Sequence, residues 1–174
     1  MMIENGYVAL LQHDVLKMKH PQNLNKIVTL YKIIAMKTFS LSVNTGKDVI
    51  THTIEKYTPG GYVESIDNLD SENVCWVDNS ARIFDNAKIL GGSLIKDVAL
   101  IFNNARIEKS YIANQCRIHG NAVVIESACN NSVQIKDDAI VKNSILLNSA
   151  KIYGNASIDG SIFTIGATAY GDCQ

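Results

Sequence analysis

The stretch RIFDNAKILGGSLIKDVALIFNNARI, residues 82–107, carries an isoleucine at every sixth position. These isoleucines stand at 83, 89, 95, 101 and 107. Asp-Asn, Gly-Gly or Asn-Asn lies midway between them, and these residue types accept a positive φ or bond their own backbone in turns. A helical stripe would instead space its apolar residues three and four apart. The stretch therefore predicts very short strands separated by corners.

The same unit recurs through the rest of the chain. From Val77 the sequence divides into fifteen hexads, three of them one residue short, and the first position is aliphatic in fourteen. The fifth position is usually alanine, which is small enough for the narrow corner of a triangle. Three hexads would close a turn of about eighteen residues, and stacked turns would form parallel sheets. We therefore predict an all-β triangular solenoid of about five turns over residues 76–174.

This repeat resembles the hexapeptide-repeat family of left-handed parallel β-helices. The preceding segment YTPGGYVESIDNLDSENVCWVDNSARI, residues 57–83, is similar to the segment that leads into the coil in family members from phage and prophage genomes. The resemblance implies a left-handed parallel β-helix and a homotrimer. It also implies that some relatives are acyltransferases with a histidine base between two subunits, whereas the phage-type members mostly lack an assigned activity.

Residues 1–75 do not repeat, and we predict that they cap the coil, because an open solenoid end exposes core and unpaired backbone. The apolar spacing of YVALLQHDVLKMKH, residues 7–20, is close to helical, and Pro21 would end the helix. LYKIIAMKTF and KDVITHTI are typical of strands on either side of the turn SVNTGK. We therefore expect a small α+β cap.

Composition limits the partners and the compartment. With 47% hydrophobic and 19% charged residues, the chain should fold, and a net charge of -1 argues against binding of long nucleic acid. The sequence has no run of eighteen apolar residues and no secretory signal, so we expect a cytoplasmic protein, in the host cytoplasm if phage-encoded, with no membrane partner. The four cysteines lack metal-ligand spacing, so we expect reduced thiols and no metal site.

One outer face of the predicted coil carries an apolar column. Its members are Trp76, Leu94, Tyr111, Cys129 and Leu146. A continuous apolar column should not stay in contact with water. We expect it to pack against the amino-terminal segment or a neighbouring subunit, and a cyclic trimer would bury it on every protomer.

The next face combines aromatic and basic side chains. The candidate ligand-binding residues there are Arg82, Phe84, Phe102, Arg117, His119, Lys136, Lys151 and Tyr153. Aromatic rings beside Arg and Lys can stack a base and pair with phosphates, which favours a nucleotide-like ligand. Aromatic ladders also stabilise sheets on their own account, so a purely structural role or a further subunit interface stays open.

His119, within RIHGNAV, is the only histidine on the predicted coil and the candidate catalytic residue. A base of near-neutral pKa would serve acyl transfer, but no projecting loop or orienting carboxylate accompanies it. We therefore predict a non-catalytic, phage-type scaffold, without a cofactor, that binds a partner protein or small ligand on an outer face. The first alternative is an acyltransferase using His119 with acetyl-CoA or another acyl-CoA. The second is sequestration of a nucleotide-like signal molecule on the aromatic and basic face.

Overall fold

The computed structural model describes residues 6–171, which form two antiparallel hairpins followed by a three-sided parallel β-helix of about six turns. The hairpin strands are β1 (Val8–His20), β2 (Asn23–Ala35), β3 (Phe39–Asn44) and β4 (Val49–Ile54). The strand expected over KDVITHTI is confirmed as β4, whereas LYKIIAMKTF is not one strand, because β2 ends at Ala35 and the strand that enters the turn, β3, begins at Phe39. The helix expected over residues 7–20 is wrong, because β1 pairs with β2 and its side chains from Val15 to Lys19 alternate in exposure with the period of a strand.

The coil runs from β5 to β22, one strand per face and turn. Its elements are β5 (Pro59–Val63), the 3-10 turn Ile66–Asn68 and β6 (Trp76–Val77); β7 (Arg82–Ile83), β8 (Lys88–Ile89) and β9 (Leu94–Ile95); β10 (Leu100–Ile101), β11 (Arg106–Glu108) and β12 (Tyr111–Ile112); β13 (Arg117–Ile118), β14 (Val123–Ile125) and β15 (Ala128–Cys129); β16 (Gln134–Ile135), β17 (Ile140–Lys142) and β18 (Ile145–Leu146); β19 (Lys151–Tyr153), β20 (Ser157–Asp159) and β21 (Ile162–Phe163); and β22 (Thr168–Tyr170). Parallel pairing therefore starts at β5, ahead of the predicted first residue.

Three parallel sheets result. Face 1 contains β5, β7, β10, β13, β16, β19 and β22, and β2 extends it by antiparallel pairing with β5. Face 2 contains β8, β11, β14, β17 and β20, and face 3 contains β6, β9, β12, β15, β18 and β21. The parallel β-helix is thus confirmed, while its left hand stays a prediction from the resemblance.

The interior is filled by vertical rows of branched side chains, as the six-residue period predicts. On face 1 the row is Ile83, Ile101, Ile118, Ile135 and Ile152, paired in register and fully buried. Burial of one such side chain contributes roughly 1.5–3 kcal/mol. Positive φ occurs at nearly all of the predicted Asn, Asp and Gly corner residues, namely Asn79, Asp85, Asp97, Asn103, Asn114, Gly120, Asp137, Asn143, Gly154 and Gly160. At the Gly91 corner the neighbouring Gly92 adopts it instead. Asn and Asp tolerate this conformation better than other non-glycine residues.

From Ser110 onward each turn of the coil is one residue shorter, 17 instead of 18, and the residue is lost at the corner between faces 2 and 3. Ser110, Ser127 and Ser144 occupy that corner, and each Oγ accepts the backbone N–H of the serine 17 residues later at 3.1 Å. The same Oγ atoms donate to the carbonyl two residues earlier. Each hydroxyl therefore satisfies a buried backbone group that the shortened corner would leave unpaired.

The position of this shortened corner corrects the predicted apolar column. The first short hexad, 107–111, coincides with this corner, but the second and third, 130–134 and 147–151, lie after it, so the hexads predict that Cys129 and Leu146 point outward. Both pair with inward residues and are fully buried in the core, and Ala128 and Ile145 take the outward positions.

The hairpin β3–β4 covers face 3. The Phe39 ring packs edge-on against Trp76 with centroids 5.8 Å apart, and Trp76 and Leu94 are fully buried. Tyr111, lower in the column, is partly buried against the same core. The amino-terminal hairpin therefore packs against the Trp76 end of this column, whereas contact with a neighbouring subunit stays a prediction.

Candidate functional site

The hairpin β1–β2 lies over the first rungs of face 1. Phe84 and Phe102 stack with centroids 5.0 Å apart and are buried, together with Leu100, beneath Val28 and Leu30 of β2. Phe84 and Phe102 therefore form a second small core. Their assignment to a ligand surface is wrong, because the chain's own hairpin already occupies it.

A polar clasp holds the tip of this hairpin on the coil. His20 Nε2 lies 2.9 Å from Asp85 Oδ2, and Lys26 Nζ donates to Asp85 Oδ1 at 2.5 Å. The backbone N–H of Gln22 donates to His20 Nδ1, so the neutral ring carries its proton on Nε2 and donates it to Asp85. Burial would raise the pKa of Asp85, but the hydrogen bonds from Lys26, His20 and Asn103 outweigh it and lower that pKa. Both ring nitrogens of His20 are thus engaged, which gives it a structural role.

His119 continues the ladder just below the hairpin. Its ring stacks on Phe102 with centroids 4.7 Å apart, and Gln22 Nε2 donates to its Nδ1 at 3.2 Å. Because Nδ1 accepts, the neutral ring carries its proton on Nε2 and has no free lone pair there for a general base. Burial lowers the pKa of His119, and the charge of Asp137 opposes that shift. Within the described chain no carboxylate hydrogen-bonds to this ring.

From the rung of His119 onward the outer surface of face 1 is open to solvent. We call it the basic–aromatic strip, and its members are Arg117, Lys136, Lys151, Tyr153 and Tyr170. Lys136 Nζ lies 5.1 Å from the centroid of Tyr153, and Tyr153 stacks on Tyr170 at 5.6 Å. Both faces of the Tyr153 ring are therefore occupied by neighbours in the ladder. The strip offers positive charge and ring edges, but Tyr153 offers no open face on which a base could stack.

A cleft of about 490 Å³ lies at the edge of face 1, where faces 3 and 1 meet. We call it the corner cleft, and its lining is Arg82, Val98, Leu100, Gln115, Cys116, Arg117, Ser132 and Gln134. None of these described residues is acidic, and within residues 6–171 neither arginine forms an ion pair. The Nε of Arg82 is buried and has no hydrogen-bond partner. A buried charged donor without a hydrogen-bond acceptor destabilises the fold, unless a ligand supplies the acceptor.

A larger cleft, of about 690 Å³, lies beside β3 and the corner of faces 2 and 3. Its cations are already paired, since Arg106 contacts Glu108 at 2.8 Å and Lys109 contacts Glu126 at 3.2 Å. The corner cleft is therefore the stronger candidate for recognition of a charged ligand.

Thiol and metal chemistry find no support in the described residues. Burial raises the pKa of Cys75 and of Cys116 to about 12 and that of Cys129 well above its usual value, so these free thiols are poor nucleophiles. Cys173 lies outside the described residues. Among residues 6–171 no group of His, Cys, Asp and Glu side chains could hold a metal ion.

The helical content of the same part of the chain is one short turn, and no helix there could span a bilayer.

Arg82 and Arg117 could be predicted from the sequence, but the cleft around them could not. Gln115 and Ser132, which complete its lining, belong to corners and carry no pattern of their own. Gln22, which fixes the His119 ring, lies 97 residues earlier in the chain.

No protein-family model matches this sequence, and no curated protein matches it either.

Proposed function

We propose that this protein is a non-catalytic β-helix scaffold that binds an anionic small molecule on face 1, in the corner cleft between Arg82 and Arg117. The observation that carries the proposal is the buried Nε of Arg82, which lacks a partner in a cleft with a second guanidinium and no acidic lining residue. An oxygen of a phosphate or carboxylate in the cleft would supply the missing counter-charge, and a turn of the Arg82 side chain would bring its Nε–H to that oxygen.

The ligand class follows from the donors around the cleft. Two guanidinium groups favour a doubly charged, phosphate-bearing group, because each can donate in bidentate fashion. Gln115, Gln134 and Ser132 can complete the remaining hydrogen bonds. The Tyr153 ring is covered by Tyr170 and by the Lys136 ammonium, so base stacking should add little, and a nucleotide would bind mainly through its phosphates.

Calorimetric titration with inorganic pyrophosphate and with a nucleoside diphosphate tests this proposal. We expect saturable binding of both with similar affinity. Arg117→Ala and Arg82→Gln should weaken it about ten- to hundredfold, since a charge-assisted hydrogen bond contributes about 1.5–3 kcal/mol. Arg106→Ala, an exposed arginine on face 2, is the matched control and should bind normally. The absence of heat with either anion, or unchanged affinity in Arg117→Ala, would exclude the corner cleft as the site.

The same titration separates the alternatives. A nucleotide that binds far more tightly than pyrophosphate would favour nucleotide sequestration over simple anion recognition. Acetyl-CoA carries phosphates, so its binding alone does not indicate catalysis. Acyl transfer that disappears in His119→Ala would instead support the acyltransferase and refute the non-catalytic role. Membership of the hexapeptide-repeat family, phage-type origin, the homotrimer and the cytoplasmic location stay predictions, and the binding proposal does not depend on them.

A further inference from the structure

The outward residues on the last four strands of face 1 include cations but no carboxylate. They are Arg117 and His119 on the β13 rung, Gln134 and Lys136 on the β16 rung, Lys151 and Tyr153 on the β19 rung, and Thr168 and Tyr170 on the β22 rung. Face 2, by contrast, places Glu108 and Asp159 among its outward residues. A chain whose net charge is only -1 therefore concentrates positive charge on the open part of face 1.

One column of this surface carries cations without ion-pair partners. Arg117 pairs in register with Gln134, and Gln134 pairs with Lys151, so the three side chains lie one after another along the coil axis. All three are exposed. In the part of the chain that the structure describes, neither Arg117 nor Lys151 forms an ion pair. The column therefore presents two cations that a ligand could neutralise.

The corner cleft lies at one end of this column. Arg82 is two rungs before Arg117, and Lys151 is two rungs after it. With adjacent rungs about 4.8 Å apart, the three cations recur about every 10 Å over a length of about 19 Å. Lys136, in the neighbouring column, is balanced by Asp137 at 3.4 Å. A ligand that meets all three unpaired cations must therefore be elongated.

We propose that the corner cleft holds one end of a linear chain of phosphate groups, which runs along the coil axis over the basic–aromatic strip to Lys151. This inference rests on the proposed anion site and extends it. Oxygens along the chain accept from Arg82, Arg117 and Lys151 in turn, and the Gln134 amide donates from the rung between the last two. Free inorganic polyphosphate and a phosphate chain attached to a nucleoside share this chemistry.

Other elongated ligands fit this surface less well. A single-stranded nucleic acid stacks its bases on open aromatic rings, whereas the Tyr153 ring is covered by Tyr170 and by the Lys136 ammonium. The hydroxyl groups of a sugar chain are donors as well as acceptors, and the outward residues from Arg117 to Tyr170 offer no carboxylate to accept from them. The bridging oxygens and charged oxygens of a phosphate chain only accept, which matches a surface rich in donors.

Calorimetric titration with pyrophosphate, tripolyphosphate and a long-chain polyphosphate tests this inference. The affinity should rise with chain length, and the longest chain should bind at least about tenfold more tightly than pyrophosphate. Lys151→Gln should remove most of that gain but leave the affinity for pyrophosphate unchanged, because a pyrophosphate in the corner cleft does not reach the β19 rung. Lys142→Gln, which changes an exposed lysine on face 2, is the matched control and should bind every chain like the wild type.

A comparison of inorganic tetraphosphate with a nucleoside tetraphosphate distinguishes the two sources of the chain. We expect equal affinities, which would indicate an inorganic chain, because the Tyr153 ring has no open face for the base. Tighter binding of the nucleoside tetraphosphate would indicate a chain attached to a nucleoside.

The titrations also separate this inference from the proposed function. Saturable binding of pyrophosphate with no gain for longer chains would overturn the inference and leave the anion site intact. A gain that Lys151→Gln leaves unchanged, or that Lys142→Gln removes equally, would overturn it as well. The absence of heat with every anion would overturn both proposals. Circular dichroism of the two variants would show that these exposed substitutions leave the fold intact.

Discussion

Removal of a single hydroxyl from the serine ladder should weaken the coil measurably. In Ser127→Ala, the backbone N–H of Ser144 loses its acceptor, the Ser127 Oγ at 3.1 Å. Ser144 is buried, so water cannot replace the hydroxyl. The carbonyl of Ile125 also loses a donor, but it keeps the hydrogen bond from the backbone N–H of Asn143 at 3.1 Å. The cost is therefore that of one orphaned buried N–H group.

An unsatisfied buried donor costs about 1–3 kcal/mol, so the free energy of unfolding should fall by that amount. Urea unfolding followed by circular dichroism measures it through the transition midpoint. Ser161→Ala is the matched control, because the Ser161 Oγ donates to the Asp159 carbonyl in an exposed setting. This control should change the free energy of unfolding by no more than about 0.5 kcal/mol. Equal losses in the two variants, or no loss in Ser127→Ala, would refute the account of the shortened corner.

Two further predictions concern the start of the coil and the histidine of face 1. Gly61→Ala should lower the free energy of unfolding by more than about 1 kcal/mol in the same urea assay, because the added Cβ would lie 2.7 Å from the Ala81 carbonyl oxygen. A transition midpoint equal to that of the wild type would contradict this. Burial lowers the pKa of His119 in the folded chain, so protons bind preferentially to the unfolded chain and stability falls as the pH drops through about 6.5. His119→Phe should not show that part of the loss, so its free energy of unfolding relative to the wild type should increase between about pH 7.5 and pH 5.5. A difference that stays constant over this range would contradict this reasoning.

The coil could be predicted from the sequence because its signals are local. A six-residue period, alanine at the corners and residues such as Asn103 and Asp137 that accept positive φ together leave few alternatives. The exact register could not be predicted in the same way. In a hexad that is one residue short, the missing residue can fall before or after the corner. Its place is determined only by the hydrogen bonds that stack Ser110, Ser127 and Ser144 in successive turns.

The covering of the faces depends on contacts between distant parts of the chain. Nothing local to Phe84 or Phe102 indicates that Leu30 packs on them, so a buried ladder and an exposed one look alike in sequence. The apolar residues of β1 also fit a helical spacing until pairing with β2 determines their period. The two arginines were identified by residue type, but the orphaned Nε of Arg82 depends on burial that only the folded chain provides.

The side-chain Nε–H resonance of Arg82 gives the most direct test of the proposed site. In nitrogen-15 correlation spectra recorded during a pyrophosphate titration, this resonance should shift and saturate together with that of Arg117, because the ligand supplies the acceptor that the buried Nε lacks. Binding of pyrophosphate that leaves the Arg82 resonance unchanged, or no binding at all, would contradict the assignment of the corner cleft as an anion site.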